Sequence, residues 1–246
     1  MLTINNVSKS FDELNALDDV SFQVNEGEIV GLIGANGAGK STLMRILAGV
    51  LEPDNGNALF DEKELKNSIG LRRKIFFFPD EPFFAQSSTI LEVAKLYAVF
   101  YPSFDFDVFH RLCENLELEP KSKISKLSKG MKRQALIAVA VSIRPQFMFL
   151  DEVFDGVDSI TKLTLKEILN KLSKEYNTTI ITASHNIREI EDICQSICLL
   201  YKSKLVLFSE LATLKEKYAS ENFSLEEILK CELEVYGYAK KSIDFI

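Results

Sequence analysis

Residues 34 to 41 form a glycine-rich loop ending in Lys-Ser, and this loop constrains the fold more than any other part of the chain. It fits the phosphate-binding pattern G-x-x-x-x-G-K-[ST]. The apolar spacing predicts a short strand over residues 28–33, before the loop, and a helix over residues 42–48, after it. The glycines let successive backbone N–H groups point at phosphate oxygens, and the helix N-terminus adds a favourable dipole. A chance glycine-rich turn would not require this flanking strand and helix, so the pattern predicts a nucleotide site.

Two side chains at the end of this loop have predicted roles. Lys40 would reach the outer phosphates, and the Ser41 hydroxyl would ligate the magnesium ion that accompanies them. We therefore expect a nucleotide and Mg²⁺ to bind together. The residues expected to contact the nucleotide here are Gly34, Ala35, Asn36, Gly37, Ala38, Gly39, Lys40, Ser41 and Thr42.

Composition limits the class of protein. The 246 residues are 46% hydrophobic, enough for one large α/β domain or two closely packed lobes. No apolar run approaches the roughly 20 residues that cross a bilayer, and residues 1–6 lack the pattern of a secretion signal. We expect a soluble, cytoplasmic protein. The net charge of −7 argues against a broad nucleic-acid-binding surface.

The four cysteines fit a reducing compartment without disulfides. Cys194 and Cys198 are four residues apart on a predicted helix, which is compatible with a metal pair. Buried thiols are the favoured interpretation, because the sequence offers no second pair of ligands nearby.

Strand and helix patterns alternate through most of the chain. Residues 2–7 and 20–24 predict antiparallel strands before the loop. Central strands are predicted at residues 75–78, 147–150 and 178–182, and a helical lobe over residues 89–118 lies between them. We therefore predict an α/β fold: a P-loop NTPase core with a mostly parallel sheet, an N-terminal antiparallel β-subdomain and an inserted α-helical subdomain.

Two carboxylates and a histidine follow the predicted central strands. Asp151 and Glu152 come directly after an apolar strand, where Asp151 would hold magnesium and Glu152 would polarise a water that attacks the γ-phosphate. His185 follows the next strand and would lie beside the same phosphate. Further upstream, Ser128 is expected to cap a helix, and the alternatives of an anion site and an ordinary capped loop remain equally open there.

The ordered set of motifs resembles the ATP-binding subunit of an ATP-binding-cassette (ABC) transporter over residues 2–208. The motifs are Phe11, the phosphate loop, Phe78-Pro79-Asp80, Leu127-Ser128-Lys129-Gly130, Leu150-Asp151-Glu152, Gly156-Val157-Asp158 and Ser184-His185.

This resemblance implies ATP and Mg²⁺ as cofactors and a head-to-tail homodimer served by an integral membrane permease subunit. Phe11 would stack on adenine. Ser128 and Gly130 would reach the γ-phosphate of the ATP on the other subunit, and Asp158 would link the two sites. Glu152 would be the catalytic base, with His185 and Lys40 contacting the phosphates. Through its membrane partner the subunit would lie at the inner face of the cell membrane.

The implied organisation has two parts. Residues 1–210 would form the ATP-binding domain, with the helical subdomain at about residues 85–130. Residues 211–246 would form a short C-terminal helical extension, where Ser224 and Glu227 predict a capping box.

Several positions depart from the family pattern. Lys129 and Met131 replace a glycine and a glutamine, and we expect the contact with the second subunit to survive. Asp80 stands where the family has a glutamine, so it would either ligate magnesium or relay signals from the membrane subunit. Val153-Phe154 replaces a Pro-Thr pair.

A finer resemblance concerns a bacterial exporter subgroup. Residues 79–82, residues 101–105 and the Leu-Ser-Lys-Gly-Met loop resemble exporters of amphipathic or antimicrobial peptides, including phenol-soluble modulins. Phe83 and Phe84 would either form a docking surface for a partner helix or pack under the helical lobe. The rival functions are a non-transport ATPase of the same fold that acts on ribosomes or DNA, and a phosphoryl-transfer kinase.

Overall fold

Strands and helices alternate along the described part of the chain. The strands are β1 (Leu2–Phe11), β2 (Leu14–Val24), β3 (Ile29–Ile33), β4 (Asn55–Phe60), β5 (Lys63–Glu64), β6 (Ile75–Phe78), β7 (Phe147–Asp151), β8 (Thr179–Ala183), β9 (Ser196–Tyr201) and β10 (Lys204–Glu210). The helices are α1 (Lys40–Leu47), α2 (Ile69–Arg72), α3 (Ile90–Phe100), α4 (Phe106–Asn115), α5 (Lys129–Ile143), α6 (Ser159–Tyr176), α7 (Ile187–Ile193), α8 (Leu211–Lys217) and α9 (Leu225–Val235), with 3₁₀ turns at Ile124–Lys126 and Ala219–Glu221. This computed structural model describes residues 1–66, 68–85, 87–221 and 223–238.

A mostly parallel sheet carries the site. Its strand order is β10-β9-β3-β8-β7-β6, and the β9–β10 pair is antiparallel. Strands β3, β7 and β8 are buried at every position, as their continuous apolar sequences predict. Asp151 at the end of β7 pairs with Ala183 at the end of β8. The carboxyl ends of these parallel strands therefore meet at one edge of the sheet.

A second, antiparallel sheet covers one side of this core. Its order is β2-β1-β4-β5, so β1 lies between β2 and β4. The two predicted N-terminal strands are present but longer than predicted. The apolar face of this sheet joins α1 and strands of the central sheet in one hydrophobic cluster. The predicted α/β fold is confirmed.

The inserted lobe consists of α3, α4 and α5, which share a second hydrophobic cluster. A capping box at Thr89 and Glu92 starts α3, and the Asp105 side chain caps α4. Helix α5 is buried almost throughout, because it packs against α3 and α4 and shares a hydrophobic cluster with strands of the central sheet. The lobe thereby brings the N-terminal end of α5 close to the loop that follows β7.

The helix predicted across Cys194 and Cys198 is wrong. Cys194 follows the end of α7, and Cys198 lies within β9. The run from Ser196 to Tyr201 is buried at every residue, so its apolar character is that of a central strand. Both thiols are buried, as the favoured interpretation expected.

The C-terminal segment is helical where it is described. The capping box at Ser224 and Glu227 is confirmed at the start of α9. The last eight residues of the predicted extension, 239–246, lie outside the described residues. The division into residues 1–210 and 211–246 stays a prediction. Among the residues described, no helix is long and apolar enough to cross a membrane.

Candidate active site

The phosphate loop runs from the end of β3 to the start of α1, as predicted. Gly39 caps α1 with a φ of 105°, in the left-handed region that favours glycine. A Cβ atom at Gly39 would lie 2.3 Å from the Ala16 carbonyl oxygen. The pattern therefore needs glycine here, both for its backbone conformation and for the close approach of β2.

Lys40 is nearly buried beneath its own loop. Its Nζ donates to the Gly34 carbonyl oxygen at 2.6 Å and to that of Ala35 at 3.1 Å. Burial lowers the pKa of Lys40, and the nearby carboxylates of Glu152 and Asp151 oppose that shift. The Lys40 ammonium thus lies between the loop and two acidic groups, within reach of an anion bound in the loop.

Ser41 and Asp151 lie together, as the sequence predicted. The Ser41 hydroxyl lies near the Asp151 carboxylate, and Asp151 is only 4% exposed. Burial raises the pKa of Asp151, and the hydrogen bond from Ser41 and the charge of Lys40 oppose the shift. A hydroxyl beside a carboxylate is an oxygen donor set of the kind Mg²⁺ prefers, so these residues fit that ion.

Glu152 faces His185 across the edge of the sheet. The Glu152 carboxylate lies 2.9 Å from Nδ1 of His185 and accepts a hydrogen bond from its backbone N–H at 3.3 Å. Burial raises the pKa of Glu152, and His185 opposes that shift by charge and hydrogen bonding. The Glu152 backbone has a φ of 52°, which is uncommon outside glycine. A partly buried carboxylate with an oriented partner has the character of a general base.

The sequence did not single out Arg133, which links Asp80 to Glu152. Its side chain is 1% exposed, and one guanidinium nitrogen lies 3.0 Å from the Asp80 carboxylate. The other terminal nitrogen donates to the carbonyl oxygen of Glu152. The available signal was a cation directly before the apolar run of α5, but its partners lie far away in sequence. The assignment of Asp80 as a magnesium ligand stays a prediction.

Ser128, Gly130 and Asp158 lie at the start of helices. The Ser128 hydroxyl accepts from the N–H of Met131 at 3.2 Å and caps α5. The Asp158 carboxylate accepts from the N–H groups of Ile160 and Thr161 and caps α6. Ser128 is confirmed as a cap, while the contacts of these residues with a second subunit stay predictions.

Close backbone packing joins the two helix starts. A Cβ at Gly130 would lie 2.8 Å from the carbonyl oxygen of Gly156, in the loop before α6. The start of α5 therefore packs against the segment that leads to Asp158.

The predicted aromatic contacts differ from one another in exposure. Phe11 is 43% exposed at the end of β1, with Nζ of Lys9 5.6 Å from its ring centroid. Phe83 is 94% exposed and Phe84 only 8%, so the docking and packing interpretations each fit one of the pair. Adenine stacking on Phe11 stays a prediction.

Comparisons with known proteins agree with this geometry. The sequence profile of the family "ABC transporter" matches residues 17–155. The "ABC transporter ATP-binding protein YtrB" of Bacillus subtilis is 31% identical over 218 residues, with 89% of this chain and 75% of that protein covered. The "Bacitracin transport ATP-binding protein BcrA" of Bacillus licheniformis is 30% identical, with 86% and 71% covered. The "Methionine import ATP-binding protein MetN" of Clostridium tetani is 29% identical, with 94% and 75% covered.

Solved structures share the whole architecture. "Structure of ATP binding subunit of ABC transporter" superposes with a TM-score of 0.85 at 28% identity and covers 94% of this chain and 99% of that one. A dimeric, post-hydrolysis ATP-binding cassette, MJ0796, bound to ADP and Pi superposes with a TM-score of 0.78 at 25% identity, covering 86% and 99%.

Proposed function

This chain belongs to the ABC transporter family as its ATP-binding, ATP-hydrolysing subunit, and from that premise we propose that it powers export of peptides or other amphipathic molecules. The transported molecule would pass through a separate integral membrane subunit. Two copies of this chain would form the motor at the cytoplasmic face of that subunit. We assign nucleic acid no part in this function.

ATP binding rests on the phosphate loop and Lys40. The backbone N–H groups of the loop and the start of α1 would hold the phosphate oxygens. In this structure Lys40 donates hydrogen bonds to the carbonyl oxygens of Gly34 and Ala35. When ATP binds, Lys40 would donate to the outer phosphates instead. The exposed ring of Phe11 would stack on adenine. These groups bind and orient the substrate.

Ser41 and Asp151 would hold Mg²⁺. The fit rests on the proximity of these two side chains and on the burial of Asp151 at the end of β7. When bound, the ion would neutralise charge on the phosphate oxygens.

Hydrolysis would depend on Glu152 and His185. Glu152 would accept a proton from the attacking water, because its carboxylate lies at the same strand edge as Lys40 and Asp151. His185 would orient that carboxylate through the 2.9 Å contact and would meet the γ-phosphate with its exposed ring. This division of roles accounts for the pairing of a partly buried carboxylate with a mostly exposed histidine.

A composite site would form between two copies. The start of α5, with Ser128 and Gly130, would act on the ATP held by the other subunit. Asp158 would join the two sites, since its loop packs on the start of α5 in the same chain. The dimeric cassette among the similar structures supports this arrangement.

An apolar groove lined by Phe83 is the observation that best supports a membrane partner. The groove has a volume of about 700 Å³ and lies between α2, α3 and the segment around Phe83. Its exposed apolar residues include Ile69 at 69%, Val99 at 73% and Phe83 at 94%. An exposed apolar groove of this kind suits an amphipathic helix of a partner. We assign it to the membrane subunit.

The direction and the cargo rest on the motif resemblance and on one relative. BcrA is named for bacitracin transport, which supports bacitracin-like cargo but gives no direction, whereas MetN is named for methionine import. The Pro-bounded segment at residues 79–82 and the Leu-Ser-Lys-Gly-Met loop favour the exporter interpretation.

The deciding experiment is to purify this chain under native conditions and to reconstitute the multi-span membrane protein that co-purifies with it. The complex should purify intact and, in liposomes, should take up added amphipathic peptide only when ATP is present outside, on the side of the ATP-binding subunits. A Glu152→Gln complex is the matched control and should not take up the peptide. Purification with ribosomes instead of a membrane protein would overturn the proposal in favour of the non-transport ATPase, and ATP-driven loss of entrapped peptide from the same liposomes would overturn export.

A further inference from the structure

Arg133 is a charged side chain placed almost completely out of contact with water. It lies in the second turn of α5, directly before a run of buried residues that extends to Ile143. Burying a guanidinium is costly unless its charge is paired and its N–H groups are bonded. Both terminal nitrogens of Arg133 have specific partners, whereas its Nε is buried with no hydrogen-bond partner among the described residues. The identity of those partners indicates the role of this side chain.

The partners of Arg133 come from the loops after two neighbouring strands. One terminal nitrogen donates to the carbonyl oxygen of Asp80 at 2.8 Å and to its carboxylate at 3.0 Å, after β6. The other donates to the carbonyl oxygen of Glu152, after β7. The Asp155 carboxylate lies 3.7 Å away, and the guanidinium stands 5.8 Å from the centre of the Phe78 ring. The guanidinium of Arg133 thus hydrogen-bonds both to the segment after β6, which contains Asp80, and to the segment after β7, which contains Glu152.

The hydrogen bond from Arg133 to the Glu152 carbonyl oxygen stabilises a strained backbone conformation. Glu152 has a left-handed φ of 52°, a conformation that costs free energy for a residue with a side chain. Its N–H donates to the Ala183 carbonyl oxygen at 3.1 Å, and its own carbonyl accepts from Arg133 and from the Asp155 N–H. These bonds fix the direction in which the carboxylate points toward His185. Arg133 touches none of the reacting atoms, so it acts through Glu152.

The bond to Asp80 places a charge pair three residues before Phe83, which lines the apolar groove. Asp80 is half-exposed, while Arg133 is buried. Asp80 stands where the family has a neutral glutamine, and here its negative charge is matched by Arg133. A displacement of the segment around Asp80 would pull directly on the cation that holds Glu152.

We infer that Arg133 is a positioning residue that couples Asp80, in the segment leading to Phe83, to the catalytic carboxylate of Glu152. The inference rests on the proposed role of Glu152 and deepens it. In this chain the ion pair replaces the neutral contact at position 80, so Asp80 serves as a relay and its carboxylate is committed to Arg133.

The test measures kcat, KM and the Kd for ATP in Arg133→Lys. Lysine keeps the charge but has no planar fork, so it cannot bond both segments at once. We expect kcat to fall by at least about tenfold, since a small misplacement of a catalytic group costs up to about 10²-fold. The Kd for ATP and KM should stay within about threefold, because the phosphate loop is untouched. Arg144→Lys is the matched control: it is the same exchange at the end of the same helix, in an ion pair with Asp105, and should leave kcat unchanged.

Asp80→Asn provides a second, independent variant on the exposed partner. It should lower kcat severalfold with the Kd for ATP retained, and it should lower kcat no further when added to Arg133→Lys. A kcat within twofold of wild type in either single variant would overturn the inference, as would a parallel loss of ATP binding. If Arg133→Lys failed to fold, Asp80→Asn alone would decide. Wild-type hydrolysis by Glu152→Gln would instead show that the assignment of the base is wrong.

Discussion

At the residue scale, Glu152 is subject to opposing influences on its pKa. Burial at the end of β7 raises the pKa, while the charge and hydrogen bonds of His185 lower it. A general base must be ionised to accept a proton, so ATP hydrolysis should decline as the pH falls through this pKa. Because the net shift is upward, that decline should begin at a higher pH than an ordinary glutamate would give.

His185→Ala tests this balance. Removing the group that lowers the pKa of Glu152 should move the acid limb of the kcat profile to higher pH, whatever the change in maximal rate. The profile is measured under saturating ATP, with stability checked at each pH. An acid limb that stayed in place, or moved to lower pH, would separate His185 from the ionisation of Glu152.

Lys40→Ala removes the cation that lies beneath the phosphate loop. We expect ATP affinity to fall by at least about tenfold, since charge-assisted bonds to phosphate are the strong ones in such a site. Lys171→Ala is the control, because that lysine is 63% exposed in a surface pair on α6 and should bind ATP as the wild type does. Fluorescent-nucleotide titration gives both values, and an affinity for Lys40→Ala within about threefold of wild type would contradict the role of Lys40.

The residues that sequence could identify are those whose function depends on local geometry. The phosphate loop and its flanking strand and helix lie in one continuous segment, so their relation is set by chain connectivity. Asp151 and Glu152 were predictable because they end a strand recognisable from its apolar run. Arg133 was not predictable, since its partner Asp80 is 53 residues away and only the packing of α5 brings them together.

At the scale of elements, helix α5 makes the main connection between the parts of the site. Its start packs on the loop before α6, and Arg133 in its second turn reaches the loops after β6 and β7. The sequence predicted Ser128 as the cap of a helix, and the Ser128 hydroxyl caps α5, which begins at Lys129. The assignment of Cys194 and Cys198 to one helix was wrong because the spacing between them is ambiguous. A four-residue spacing of apolar residues occurs on a helix face and also across the boundary into a buried strand.

The groove between α2 and α3 makes a prediction at the same scale. Phe83→Asp should abolish co-purification with the membrane subunit while basal ATP hydrolysis and Tm stay unchanged, because the ring is 94% exposed and packs little. Val235→Asp, at a site 71% exposed on α9, is the control and should leave the complex intact.

The neighbouring Phe84 should behave in the opposite way. It is 8% exposed, so Phe84→Ala should lower the free energy of unfolding by about 3–5 kcal/mol.

Retention of the membrane subunit by Phe83→Asp would refute the groove as the docking site.

At the scale of the whole molecule, the account requires two copies of the chain. The hydrogen bonds of Ser128 and Asp158 are local caps on α5 and α6, and the phosphate loop lies at the start of α1. We propose that ATP joins these surfaces across a dimer, where the start of α5 supplies N–H groups to the γ-phosphate of the other subunit. Two phosphate charges at one interface repel, so closure needs these donors from both sides.

The most direct test is light scattering of the Glu152→Gln protein with and without ATP and magnesium. The amide should slow hydrolysis by at least roughly 10²-fold and keep ATP bound, so the mass should double when ATP is added. Adding Ser128→Glu should keep the mass at that of a monomer while nucleotide binding persists. Ser224→Glu, the same exchange at the cap of α9, is the control and should still dimerise. A mass that never doubled with ATP, or that doubled despite Ser128→Glu, would contradict the composite site.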